Sequence, residues 1–132
     1  MADDTPYDAL ESEEQIEAIM CEGGGTVVLD FWSETCAPCL AMAADFEHVA
    51  SQFDKGEVRF CKVDTENFPQ LAAPFKVRSI PTLLFIHDGE ILDAVVGKMS
   101  ASALGEKAEW LLGKAEKATA RRGKGLLGRL FG

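Results

Sequence analysis

The thirteen residues Val27-Val28-Leu29-Asp30-Phe31-Trp32-Ser33-Glu34-Thr35-Cys36-Ala37-Pro38-Cys39 constrain this chain more than any other stretch. An apolar strand, broken by one acid, runs into a short loop. The loop delivers two cysteines, separated by two residues, to the start of a helix. A thiol at a helix N-terminus is held partly as thiolate, because the helix dipole and the free N–H groups favour negative charge. The pattern predicts thiol–disulfide chemistry.

Size allows this reading. A chain of 132 residues suits one domain, and with 47% hydrophobic residues it can bury a core without staples. It contains no run of ~18 apolar residues, so no membrane-spanning helix is expected. Met1-Ala2-Asp3-Asp4 is acidic and leads into no apolar segment, unlike a secretory signal. Read as a whole translated chain, the protein is expected in the cytoplasm. Its four cysteines then imply no structural disulfide framework. Cys21 and Cys61 read as packing residues, and neither completes a second Cys-x-x-Cys, so a four-cysteine zinc site is not expected. His48 and His87 lack ligand spacing with the cysteines and read as surface or helix-face residues.

The net charge of −9 is unevenly spread. Residues 1–112 carry 7 Lys+Arg against 21 Asp+Glu, a net of −14, whereas residues 113–132 carry 6 against 1, a net of +5. An acidic body argues against nucleic-acid binding by the domain.

In chain order, residues 1–11 read as extended or loosely attached. Ser12-Glu13-Glu14-Gln15 is a capping box, followed by Ile16, Ile19 and Met20 on one helical face, and Gly23-Gly24-Gly25 ends that helix. Thr26 to Phe31 reads as a strand covered on both faces. The helix after the cysteines shows a stripe of Cys39, Met42, Phe46, Val49 and Phe53 at alternating spacings of three and four. Cys39 therefore belongs to a buried stripe, while Cys36 sits at the first turn and can be exposed. Val58–Val63 reads as a second strand and Pro69–Phe75 as a short helix bounded by prolines. Thr82–Ile86 and Ile91–Val96 flank a His87-Asp88-Gly89-Glu90 hairpin turn, and Gly97 suggests a bulge or a close backbone approach. Ser100 caps a last helix with Leu104, Ala108, Leu111 and Leu112. Helices between strands imply parallel pairing, and the final hairpin adds an antiparallel pair. The expected fold is α/β, with a central mixed sheet of four to five strands flanked by about four helices.

These pieces together resemble the thioredoxin family over roughly residues 8–112. Val28-Leu29-Asp30-Phe31-Trp32, Cys36-Ala37-Pro38-Cys39, Lys62-Val63-Asp64, Val77-Arg78-Ser79-Ile80-Pro81-Thr82, Asp88-Gly89 and Val96-Gly97 carry the resemblance. Cys-x-x-Cys alone also serves zinc and iron–sulfur sites, but the pair between an Asp-Phe-Trp strand end and a downstream Ile-Pro-Thr is specific. The resemblance implies a protein-disulfide reductase without a bound cofactor, probing disulfide-containing protein substrates and recharged by an electron-donating reductase. A monomer is expected. Cys36 would be the nucleophile and Cys39 the resolving thiol.

The resemblance also gives Asp30 and Lys62 a role in proton transfer to and from Cys39, with a structural ion pair as the alternative. Burial of Asp30 without full pairing raises its pKa. Pro81 is implied to follow a cis bond, which would expose the Ile80 backbone for strand-like pairing with substrate; the alternative is an ordinary turn proline. Trp32, Ala37, Pro38, Ile80, Pro81 and Gly97 would line the substrate groove, with Trp32 as plain core the alternative. Thr35, Ala37 and Leu40 stand where thioredoxins usually carry Trp, Gly and a basic residue, which alters the surface around Cys36.

Gly113–Gly132 lies outside the resemblance and reads as a basic, glycine-rich tail following a domain of residues 1–112. Leu126, Leu127, Leu130 and Phe131 share one helical face opposite Arg129, although the glycines around them weaken a helix. The tail is either disordered or docks to an acidic partner, to the body, or to an anionic membrane surface. A rival reading of the whole chain is an adaptor or chaperone-like module of the same fold that docks through this tail.

Overall fold

The computed structural model describes residues 5–131, with side chains described up to residue 121. Five strands and four helices follow one another as β1 (Tyr7–Ala9), α1 (Glu13–Ile19), β2 (Thr26–Trp32), α2 (Ala37–Ser51), β3 (Arg59–Asp64), α3 (Pro69–Ala72), β4 (Thr82–His87), β5 (Glu90–Val96) and α4 (Ala101–Phe131). A 3-10 turn, Ala73–Phe75, extends α3. The sheet order is β1-β3-β2-β4-β5. β1 and β2 pair parallel with β3, and β4 pairs antiparallel with β2 and β5. The mixed α/β sheet expected from the sequence is therefore present.

Strand periodicity assigns the two faces of the sheet. Val28, Phe60, Leu83 and Phe85 point towards Met42, Phe46 and Val49 of α2 and Leu104, Ala108 and Leu111 of α4. Val27, Leu29, Phe31, Cys61, Val63, Leu84 and Ile86 face the other way, onto Ile19 of α1 and Leu71 of α3. Val27 to Phe31 are each at most 1% exposed, as a central strand with two covered faces requires.

Local signals hold at several boundaries. Ser12 Oγ accepts the Gln15 N–H at 3.2 Å while Gln15 Oε1 accepts the Ser12 N–H at 3.2 Å. Ser100 Oγ accepts the Ala103 N–H at 3.1 Å and starts α4. In the β4–β5 turn Asp88 and Gly89 take φ values of 47° and 81°. A Cβ on Gly89 would also meet the Met20 carbonyl oxygen at 2.6 Å, so this position requires glycine twice over.

Four details differ from the sequence reading. The N-terminal segment is not loose: Tyr7, Asp8 and Ala9 pair with Phe60, Cys61 and Lys62, and Asp8 forms ion pairs with Arg59 at 3.1 Å and Lys55 at 3.4 Å. Gly97 does not interrupt β5; the register shift lies at Phe85/Ile86, and Gly97 follows the strand end. Phe53 lies beyond the end of α2 and packs on Phe60, with ring centroids 5.7 Å apart. Cys21 is exposed, whereas Cys61 is fully buried and packs as expected.

The last helix also runs on. α4 crosses Gly113 without a break and reaches Phe131. Ala115, 6% exposed, continues the packed stripe of Leu104, Ala108 and Leu111 by one turn. Good helix formers between Lys114 and Ala120 carry the backbone onward before the glycines begin. The described side chains end at residue 121, so those of Leu126, Leu127, Arg129, Leu130 and Phe131 lie outside the described set.

Candidate active site

The site forms where β2 ends. The strand carries Trp32 to the sheet's edge, a loop of Ser33, Glu34 and Thr35 reverses the chain, and Cys36 becomes the N-cap of α2. Cys36 Sγ accepts the Cys39 N–H at 3.3 Å. Pro38 has no N–H to offer, so the sulfur's helix donor is the residue after it. Cys36 and Cys39 are joined as a disulfide, with Cα atoms 5.2 Å apart. The two sulfurs are unequal: Cys39 is 2% exposed, while Cys36 is half-buried, with Ala37 and Pro38 exposed beside it.

The β4 end of the site is pinned from two directions. The Ile80–Pro81 peptide bond is cis. Thr82 Oγ1 donates to the Ser79 carbonyl at 2.5 Å, and the Gly97 N–H donates to the Pro81 carbonyl at 2.8 Å. These bonds hold Ile80 so that its carbonyl oxygen lies 3.6 Å from Cys36 Sγ. Pro81 itself is buried, and Gly97, with φ of 109°, closes the far side.

On the face towards α2 the sheet carries two charged residues in its core. Asp30 is 1% exposed and Lys62 6% exposed, side by side on β2 and β3. Asp30 Oδ1 has no hydrogen-bond partner among the described residues. Burial lifts the Asp30 pKa to about 7, against the pull of the Lys62 charge. Burial likewise lowers the pKa of Lys62, with the charges of Asp30 and Glu47 opposing the shift. Its ammonium is sheltered by aromatic rings: Trp32 at 4.4 Å, Tyr7 at 5.0 Å and Phe46 at 5.7 Å from the centroids.

The structure thus brings the Cys36–Cys39 pair against the Ile80 carbonyl and ties Pro81 to Gly97, with Asp30 and Lys62 neighbours on β2 and β3. Trp32 is half-buried, and its ring contacts Lys62 rather than standing only as a rim. Three contributors escaped the sequence. Tyr7 reaches Lys62 from β1, a strand with no local signal. Glu66 accepts a hydrogen bond from Thr35 Oγ1 at 3.2 Å, and Thr65 bonds the Trp32 carbonyl through its N–H at 2.8 Å and its hydroxyl at 3.1 Å. Thr35 is therefore tied down by the loop after β3. Cys61 is not part of this chemistry, since burial pushes its thiol up to about 12. Among the described residues no group of side chains is arranged to hold a metal ion.

A family model described as Thioredoxin matches residues 9–109. Thioredoxin 1 of Nostoc sp. is 36% identical over 83 residues, which is 63% of this chain and 77% of that protein. The thioredoxin of Staphylococcus saprophyticus is 40% identical over 85 residues, 64% of this chain and 81% of that one. The crystal structure of Malassezia sympodialis thioredoxin superposes with a TM-score of 0.74 at 27% identity, covering 85% of this chain and 96% of its own. Taken with a disulfide-bonded Cys-x-x-Cys pair at a helix start, these matches show that the chain belongs to the thioredoxin family of thiol–disulfide oxidoreductases.

Proposed function

We propose that this protein reduces disulfide bonds in other proteins. The observation that carries the reading is the asymmetry of the pair: Cys36 is accessible and held by the helix start, while Cys39 is buried. In the reduced protein the Cys36 thiolate attacks one sulfur of a substrate disulfide. A Cys36–substrate bond forms, the substrate S–S bond breaks, and the first substrate sulfur leaves as thiolate and takes a proton from water. Asp30, with a pKa near 7, then accepts the Cys39 proton. The Cys39 thiolate attacks Cys36 Sγ and the second substrate thiolate departs. Two electrons have passed to the substrate, and the Cys36–Cys39 disulfide awaits an electron-donating reductase.

The Lys62 side chain beside Asp30 favours the carboxylate, the form able to accept a proton, against the burial that raises the Asp30 pKa. The Ile80 backbone supports an extended substrate segment against Cys36, and Trp32, Ala37, Pro38, Pro81 and Gly97 shape the cleft around it. A reducing compartment, the cytoplasm, fits two free thiols among the described residues, one of them exposed.

The test is reduction of a protein disulfide with dithiothreitol as donor, repeated with NADPH and a thioredoxin reductase. Turnover with both supports the reading; absence of turnover with dithiothreitol overturns it. Turnover with dithiothreitol alone would retain the chemistry and replace the donor.

A further inference from the structure

The family match ends at residue 109, yet α4 continues to Phe131. At 1.5 Å per residue, the part beyond residue 113 adds a rod of roughly 27 Å. Its direction is fixed by what its first turns touch. Leu112, Ala115 and Glu116 line a groove with Thr26, Glu57 and His87. Thr26 begins β2 and His87 ends β4, whereas the cysteine site lies where β2 ends. The helix therefore leaves the domain at the end of the sheet remote from Cys36, about 20 Å away along a seven-residue strand.

This rod has two unlike faces. At 3.6 residues per turn, Lys114, Lys117, Arg121, Arg122, Lys124 and Arg129 fall on one side. Leu126, Leu127, Leu130 and Phe131 fall at positions on the opposite side. Glu116 is the single acid from residue 113 onward. Lys114, Lys117 and Arg121 are exposed. An acidic protein or a phosphate backbone needs only the basic side. The pairing of a basic side with an apolar one suits the boundary between anionic headgroups and acyl chains. Among the described residues no helix is long and apolar enough to cross a membrane, so the rod fits a position in the interface plane. An anionic surface repels the acidic body, net −14 over residues 1–112, so the basic distal segment is the part of the chain suited to meet it.

We propose that the distal part of α4 docks on an anionic lipid bilayer, holding the domain at that surface with its Cys36–Cys39 pair at the end of the sheet remote from the docked segment. Substrates in this arrangement are disulfides presented at the aqueous side of that surface. The inference does not depend on the direction of the redox reaction, so its test can fail independently of the proposed function.

The experiment is sedimentation of the full chain with vesicles of phosphatidylcholine alone and of equal parts phosphatidylcholine and phosphatidylglycerol, at physiological salt. Binding is expected to the anionic vesicles only. Arg121→Glu with Arg122→Glu should weaken it about tenfold or more, and so should Leu127→Ser with Phe131→Ser. Both double variants should match the parent in dithiothreitol-driven disulfide reduction, which verifies that the body is folded. Absence of binding to anionic vesicles overturns the proposal. Undiminished binding by the Leu127/Phe131 variant overturns the interfacial position of the helix and leaves attraction by charge alone.

Discussion

The two faces of the central sheet are built on different terms. The face towards α1 and α3 carries Val27, Leu29, Phe31, Cys61, Val63, Leu84 and Ile86, all buried and all apolar. The face towards α2 and α4 is equally buried, but its apolar set is interrupted by Asp30 and Lys62. A buried carboxylate lacking a full set of hydrogen bonds destabilises a fold. This protein gives up stability on the face against which α2, the helix that begins at the cysteines, is packed. A paired charge at that place lets one group take and return a proton near neutral pH.

The largest effect that would break this comparison concerns the thiols. Cys36→Ser should abolish disulfide reduction, and Cys39→Ser should leave covalent complexes with substrate, visible by non-reducing electrophoresis. Next come two stability changes of similar size and opposite sign. Phe31→Ala removes a fully buried ring from the apolar face, where it packs 5.3 Å from Phe75. It should cost about 3–5 kcal/mol in denaturant unfolding, with the pH profile of activity unchanged.

Asp30→Asn should do the reverse at alkaline pH. The Asp30 pKa rises from 3.8 unfolded to about 7 folded, so between these values the folded state binds more protons and stability falls as pH rises. Below pH ~4 the group is neutral in both states and costs nothing; above pH ~7 the full penalty, roughly 4 kcal/mol, applies. The variant should therefore gain several kcal/mol over the parent at pH ~8 and almost none at pH ~4. A constant difference across that range would remove the claim that Asp30 is neutral at low pH and strained when charged.

The smallest effect tests Tyr7. Replacing it with Leu removes one ring from the Lys62 ammonium, worth about 0.5–1 kcal/mol. Lys62 then supports the Asp30 carboxylate less well, and the Asp30 titration should move slightly alkaline. Tyr7→Phe keeps the ring and should retain the parent profile, whereas a loss of stability in Tyr7→Leu with the Asp30 titration unmoved would reduce Tyr7 to filling space.

Much of this was legible in the sequence because it is local or periodic. The Ser12/Gln15 capping box, the stripe from Cys39 to Val49, and the alternation of Phe60 against Cys61 and Val63 each appear where expected. The reacting pair and its inequality followed from the same stripe. What remained hidden depends on partners distant in the chain. β1 has three residues and no alternation of its own; its place is set by β3 and by Asp8 with Arg59 and Lys55. With β1 unseen, Tyr7 could not be placed beside Lys62. Glu66 reaches Thr35 only because β2 and β3 end together. The course of α4 beyond Gly113 was obscured because glycines at its far end counted against a helix that Ala115 packing supports from its near end.

The most direct test of the central claim follows the second chemical step alone. A mixed disulfide between Cys36 and a chromogenic thiol is formed, and its resolution by Cys39 is timed across pH in the parent and in Asp30→Asn. The parent rate should rise with pH through an inflection near 7, and the variant should be slower with that inflection gone. Identical rates and pH profiles in the two proteins would contradict the central claim.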